Sequence, residues 1–492
     1  MKLKVKDMDI ATGGILIAIL NQEDAKKLDL HHEDRVRVKR GKREAVAVVD
    51  IAESEKAVPI GQIGLFEESL DKLNARHRDI VDIRLEKKPD SVRYIRKKLN
   101  GKELSSSEIR TIVEDIVNNR LTSIETTYFI SAGYTKGLSE KETIALTRAM
   151  IETGDVLKLD KYPVFDKHCI GGVAGNRTTM IVVPILAAAG ITIPKTSSRS
   201  ITSPAGTADT MEVLADVSLP LRKIKRIVEK TNGCIVWGGA VNLAPADDKI
   251  IKVENPLSID AEGNLLASIL AKKGSVSSTH VLIDIPVGRG AKIETRKEAL
   301  HLKRHFERIG KGLGMKIKTV ITDGSQPVGN GIGPVLEARD VLYVLMNSPI
   351  APMDLRKRSL FLAEEMLAMA GKPRNLARKI LDSGAAYKKM VEIIREQGEK
   401  CVLPSLLKPG KYMLDVRAEK SGHISHIDNA SISKIARIAG APKDSGAGIF
   451  LHKHKRDKIK KGEKIFTIYS ENRQELKFAV EMMKEFDGIE IK

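Results

Sequence analysis

Between about residues 165 and 400, short runs rich in apolar and β-branched residues alternate with longer segments of helical spacing, and this alternation constrains the fold more than any other feature. Segments 191–195, 234–237, 280–285 and 318–322 read as strands, with helices between them that include 178–189 and 264–273. Strand followed by helix, repeated, predicts a parallel or mixed sheet covered by helices. Ligands of such sheets bind beyond the carboxyl ends of the strands. The turns at Gly171-Gly172, 288–290 and 329–333 are therefore where function is expected.

The flanking segments read differently. Residues 34–50 alternate apolar and polar on both sides of Arg40-Gly41, as a hairpin with one buried face does, and a short helix over 22–28 precedes it. This region is similar to small double-psi barrels. From Pro89 to about Lys158 the spacing is helical: Ile109, Ile112, Val113, Ile116 and Val117 share one face behind a cap at Ser107, and a second helix runs from Ser139, with Glu142 three residues on, to Gly154. Beyond Leu406, strands are expected at 413–418, 422–427 and 464–469, with turns at 446–449 and Lys461-Gly462. That end resembles a lipoyl-like hammerhead but has no attachment lysine in a tight hairpin. A chain of 492 residues exceeds the roughly 250–300 at which single cores stop growing, so several domains are expected. The expected fold is α/β and multidomain: a small β-barrel-like domain at 1–86, a helical lobe at 87–164 joined by about 245–275, a central mixed α/β sheet domain at 165–405, and an α+β domain at 406–492.

No apolar run approaches the roughly 20 residues of a membrane span, and residues 1–9 hold no apolar signal region, so the expected location is cytoplasmic. Cys169, Cys234 and Cys401 are scattered without disulfide or zinc spacing. A formal charge of +19 predicts anionic partners, while only 4% aromatic residues argues against a nucleic-acid stacking platform.

Two clusters carry chemistry. The first runs from Asp166-Lys167-His168-Cys169 through Gly171, Gly172 and Gly175 to Thr178-Thr179, directly into an apolar helix. Glycines let backbone N–H groups approach an anion, and a helix start adds free donors. Lys167 supplies a point charge and the two threonines supply hydroxyls. No Gly-Lys-Ser/Thr closes the loop, so it is not a P-loop; the plain alternative is a turn serving only strand-to-helix geometry. The second cluster, 195–212, surrounds Lys195 and Arg199 with Thr196, Ser197, Ser198, Ser200, Thr202, Ser203 and Thr207, which suits a phosphate ester held without metal; the plain alternative is a serine-rich surface loop.

These residues resemble the thymidine phosphorylase family. Residues 197–212 are similar to its Ser-x-Arg followed by Gly-Gly-Thr-x-Asp, Lys167-His168 and Gly171-Gly172-Val173 to its phosphate loop, 267–273 to its base-side helix, and 281–292 to the strand and glycine turn that follow. The departures resemble the archaeal AMP phosphorylase branch. Val253 or a neighbour stands where pyrimidine nucleoside phosphorylases carry a base-binding arginine, Cys169 replaces a serine, and Ser200, Thr202, Ser203 and Pro204 replace glycine and histidine. The resemblance implies phosphorolysis of nucleoside monophosphates: AMP and inorganic phosphate as co-substrates, with CMP and UMP also accepted, no cofactor and no metal, in a homodimer or larger homo-oligomer.

By that resemblance the nucleotide is bound by Gly172, Ser198, Arg199, Ser200, Ile201, Thr202, Ser203, Thr207, Ser268 and Lys292, and phosphate by Lys167, Thr178, Thr179 and Ser197. Asp260 matches the proton donor, and it needs a dry pocket or a neighbouring carboxylate, Glu262 or Glu254, to hold its proton at neutral pH. His168, ordinarily near 6.5, is the alternative acid. The plain alternatives are an N-cap for Asp260 and loop orientation for His168. Three other functions stay open: a thymidine or pyrimidine nucleoside phosphorylase, a catalytically silent nucleotide- or RNA-binding protein, and an anthranilate phosphoribosyltransferase-like enzyme dependent on Mg²⁺. The pairs His31-His32 and His452/His454 lack partners at metal-ligand spacing.

Overall fold

A computed structural model describes residues 1–13, 16–200, 203–254, 261–483 and 488–492, and its chain divides into two compact units: residues 1–153 with 244–268, and residues 154–243 with 269–492.

The first unit begins with a closed barrel of six strands, β1 (Lys2–Asp7), β2 (Ile17–Asn21), β3 (Arg35–Arg40), β4 (Arg43–Ala52), β5 (Gln62–Leu65) and β6 (Ile80–Glu86), in the order β1-β5-β2-β4-β3-β6. The pairs β1–β5 and β2–β4 are parallel and the rest antiparallel. The alternation anticipated over 34–50 is that of β3 and β4, whose inward residues Val36, Val38, Ala45, Ala47 and Val49 are buried. The helix there is Gln22–Lys27, capped by Asn21.

Helices Glu67–Leu73, Asp90–Leu99, Ser106–Val117, Ser123–Lys136, Glu140–Glu152 and Pro245–Glu254, and the first part of Glu262–Gly274, also belong to this unit. Ser105, Thr122 and Ser139 each cap a helix whose third residue is Glu108, Glu125 or Glu142, in three reciprocal capping boxes. The cap of the first of these helices is thus Ser105, not Ser107, because only Ser105 stands three residues before a glutamate able to close the box. Glu142 does more than cap: its buried carboxylate also accepts from the buried Lys98 ammonium at 2.6 and 2.8 Å and from the Leu104 N–H at 2.9 Å.

In the second unit β7 (Phe165–Cys169), β8 (Ile193–Ser197), β9 (Gly233–Trp237), β10 (His280–Val287) and β11 (Lys316–Asp323) pair only in parallel, as β11-β10-β7 and β8-β9, with a parallel bridge from Val164 to Thr192 between the two groups. Helix Thr179–Ala188, apolar all round, is buried among helices Pro334–Leu345, Met353–Met369, Leu376–Asp382 and Ala385–Gly398 in the largest core. Because every strand points the same way, the loops after β7, β8, β10 and β11 leave one edge. Towards the C-terminus, β12 (Gly331–Ile332), β13 (Tyr412–Arg417), β15 (Gly448–Leu451) and β17 (Lys464–Ser470) form one antiparallel sheet in the order β12-β15-β17-β13, and β14 (Gly422–Ile427), β16 (Lys458–Ile459) and β18 (Ile489–Ile491) a second in the order β16-β14-β18. The expected turn at 446–449 is in part strand β15, drawn in by pairing with β12 and β17. Among the described residues no helix is long and apolar enough to cross a membrane.

Candidate active site

Strand β7 carries the first motif itself. Asp166 is completely buried, and one of its carboxylate oxygens accepts the Lys273 ammonium at 2.6 Å. The other accepts the Lys167 N–H at 2.7 Å and lies 3.5 Å from the Lys195 ammonium. Lys167, 1% exposed, donates to the Thr178 hydroxyl at 3.0 Å and lies 3.8 Å from Asp284 on β10, whose second oxygen accepts from Thr322 on β11 at 2.6 Å. Three buried lysines thus face two buried aspartates, a cluster in which each carboxylate holds an ammonium that burial would otherwise penalise.

The electrostatics follow from burial and crowding. Desolvation brings the Lys195 ammonium down to about 7, with Lys273 adding to the fall and Asp166 opposing it. His168, partly buried, is held well below its ordinary 6.5 by desolvation and then by Lys273, Lys195, Lys272 and Lys167. Its imidazole is therefore neutral at physiological pH. Burial, with Asp284 adding, pushes the Cys169 thiol up to about 11, so it stays protonated.

Beyond β7 the chain turns through Gly171 and Gly172 at φ +91° and +82°, in the region that glycine enters without strain. A Cβ on Gly172 would stand 2.1 Å from the Lys292 backbone nitrogen, so the loops after β7 and β10 touch through this glycine. Thr178 and Thr179, both buried, open helix Thr179–Ala188.

The hydroxyl turn after β8 is organised by one carboxylate. Asp209 accepts from the N–H groups of Ser200 at 2.7 Å and Gly206 at 2.8 Å, and its other oxygen lies 3.2 Å from Arg199. Arg199 is engaged further: it forms a two-pronged pair with Glu212 at 2.5 and 2.8 Å and lies 4.8 Å over the Trp237 ring. A guanidinium so placed shapes the turn. Ser203 donates to the Ala205 carbonyl at 3.0 Å, and Ser200 donates to the Ser203 carbonyl. Arg177 joins this turn to the glycine loop after β7 through Thr207 and the Ala205 carbonyl.

Lys167 within β7, Ser197 at the end of β8, and Gly172, Thr178, Thr179, Ser198, Arg199, Ser200, Ser203, Thr207 and Lys292 on the loops at strand ends or the helices these open all belong to the second unit. Ile201, Thr202 and Asp260 lie outside the described residues, and Ser268 belongs to the first unit. Sequence reasoning does not single out Lys273, Asp284, Arg177 and Glu337 as site residues. The signal for three of them is a charge within an apolar run, as at Asp284 in 280–287, or within a motif, as at Arg177 and Lys273.

Comparison with known proteins gives the same frame. Residues 92–154 match "Glycosyl transferase family, helical bundle domain", 161–278 match "Glycosyl transferase family, a/b domain", and 423–490 match "Pyrimidine nucleoside phosphorylase C-terminal domain". AMP phosphorylase of Pyrococcus furiosus is 46% identical over 497 residues, covering 100% of this chain and 98% of that protein. The chain belongs to the thymidine phosphorylase family, in its AMP phosphorylase branch. AMP phosphorylase of Thermococcus kodakarensis is 45% identical with the same coverage, and a putative thymidine phosphorylase of Legionella pneumophila (strain Paris) is 46% identical over 93% of this chain and 88% of that one. Among solved structures, anthranilate phosphoribosyltransferase of Thermus thermophilus shares the fold at TM-score 0.52 and 18% identity, over 63% of this chain and 99% of that one.

Proposed function

We propose that this chain phosphorolyses nucleoside 5'-monophosphates, converting AMP and phosphate to adenine and ribose 1,5-bisphosphate, with CMP and UMP also accepted. The observation that carries it is the buried Lys167 ammonium, hydrogen-bonded to Thr178 at a helix start within a buried cluster of three lysines and two aspartates. Lys167, Ser197, Thr178 and Thr179 hold phosphate, and Gly172, the hydroxyl turn 198–203, Thr207, Ser268 and Lys292 hold the nucleotide. A phosphate oxygen forms a bond to C1' of the ribose as the bond from C1' to the base nitrogen breaks, its electron pair leaving with the base. The held dianion stabilises cationic character on the sugar through position and preorganised charge.

The leaving base takes a proton, an aid typically worth about 10²- to 10⁴-fold. Asp260 supplies it, on the strength of the family resemblance. His168, neutral among lysines, is a poor acid and orients the loop. A homodimer or larger homo-oligomer belongs to the same proposal, and light scattering measures it.

The test is direct. The protein is incubated with phosphate and, separately, AMP, CMP, UMP, adenosine or thymidine, and the released base and sugar phosphate are identified. Adenine and ribose 1,5-bisphosphate from AMP are expected, with Asp260→Asn binding AMP but nearly inactive. Turnover of thymidine alone would move the chain to a nucleoside-cleaving activity, as the putative thymidine phosphorylase relatives suggest.

A further inference from the structure

We infer that Arg177 is a positioning residue, which locks the hydroxyl turn after β8 onto the phosphate loop so that one guanidinium sets the sites of both anions. The inference rests on the activity proposed above. Arg177 stands directly before Thr178, the residue whose hydroxyl receives the Lys167 ammonium. Its three nitrogens take three different acceptors: Nε the Glu337 carboxylate, Nη1 the Thr207 hydroxyl at 3.1 Å, and Nη2 the Ala205 carbonyl at 2.6 Å. Its side chain is 13% exposed and that of Glu337 1%.

Glu337 is itself held in place. One oxygen accepts from the Thr210 hydroxyl at 2.9 Å as well as from Arg177, and the other accepts from the Gly333 N–H at 3.1 Å. The carboxylate is thus fixed by the helix it opens, Pro334–Leu345, and by the helix after the hydroxyl turn, Thr207–Glu212. A planar fork anchored at Nε by an immobile carboxylate has no rotation left, so its two remaining prongs dictate where Ala205 and Thr207 stand. A lysine at this position has one nitrogen and cannot span three acceptors in three directions.

The polarity of the contacts matters as much as their geometry. A hydroxyl whose oxygen accepts from a cation keeps its own proton for another acceptor. Thr207 accepts from Arg177 and Thr178 accepts from Lys167, so both hydroxyls are committed as donors to whatever lies in front of them. Phosphate and a phosphate ester at neutral pH are rich in acceptors, which is the complement of such a pair. Glu337 is 160 residues from Arg177 and 127 from Thr210, so the device exists only in the folded unit.

The test uses the full chain with Arg177→Lys, Arg177→Met, Thr207→Val and the double variant Arg177→Met/Thr207→Val. KM for phosphate and for AMP are measured separately, and binding of each ligand alone is measured by calorimetry, which does not depend on turnover. Both constants are expected to rise about ten-fold or more in Arg177→Met, the loss of a charge-assisted hydrogen bond. Arg177→Lys is expected to regain the unfolding midpoint, through its pair with Glu337, but not the two KM values. Thr207→Val is expected to weaken AMP in the native background and to change little in Arg177→Met. Independent, multiplying effects of the two substitutions, or native KM values in Arg177→Lys, overturn the inference. If the native protein binds both ligands with this dependence on Arg177 but releases no base, the activity proposed above fails while the positioning role stands; if neither ligand binds, both fail.

Discussion

Asparagine in place of Asp166 keeps the shape of the side chain but removes the carboxylate between two buried ammonium groups, Lys273 at 2.6 Å and Lys195 at 3.5 Å. Three buried lysines then face Asp284 alone. Removing one partner of a buried pair costs ~3–5 kcal/mol, because the charge left behind is uncompensated. Lys195 modulates that cost. Its folded pKa, about 7, lies below its ordinary 10.5, so between these values the unfolded chain binds more protons than the folded one and the contribution of Lys195 to stability rises with pH. Below pH 7 its full cost is present. Asp166 is the group that opposes the fall, so without it Lys195 sheds its proton at lower pH and the variant is relieved earlier on the way up. Asp166→Asn is therefore expected to be most damaging near pH 6 and less so at pH 8.5. Adding Lys195→Met restores an excess of one ammonium, and the double variant is expected to be more stable than Asp166→Asn by at least ~1–2 kcal/mol, a non-additive rescue typical of contacting charges. Urea unfolding followed by the fluorescence of Trp237, the single tryptophan and part of β9, reports on this unit. A double variant no more stable than Asp166→Asn at pH 6.5 would refute the charge arithmetic.

Gly172→Ala combines φ strain with a Cβ 2.1 Å from the Lys292 nitrogen, whereas Gly171→Ala has φ strain and open space. Both are expected to lose ~1–2 kcal/mol of stability from the left-handed backbone, and Gly172→Ala to lose more and to lower kcat/KM by about 10²-fold through a displaced Lys292, measured by unfolding and steady-state assay. Asp209→Ala releases the N–H groups of Ser200 and Gly206 and should raise KM for AMP more than KM for phosphate; equal effects would remove the turn from the nucleotide site. Cys169, with its thiol pushed up to about 11, should resist iodoacetamide at pH 8 in the folded protein and react after denaturation, as mass spectrometry would show. Glu142→Gln should destabilise the first unit by ~3–5 kcal/mol by stranding Lys98, read from the urea midpoint of its helical circular dichroism.

What the sequence determined by itself was local. The alternation of Val36, Val38, Ala45, Ala47 and Val49 fixed a hairpin, and Ser139 with Glu142 fixed a helix start, because periodicity and capping act over a few residues. The glycines and Thr178-Thr179 after Lys167 marked the turn into helix Thr179–Ala188 for the same reason, and a cap displaced from Ser107 to Ser105 shows how closely spaced serines blur a boundary. Strand β7 is not legible in the sequence: Asp166 and Lys167 put opposite charges on its two faces, and only burial in a parallel sheet with compensating partners makes such a strand tolerable. Those partners, Lys273 and Asp284 for the two charges of β7 and Glu337 for Arg177, lie more than a hundred residues away. Sequence spacing carries no information about which buried ammonium meets which buried carboxylate. That pairing is decided when the strands stack in parallel and bring their loops to one edge, where desolvation makes each unmatched charge too costly to leave alone.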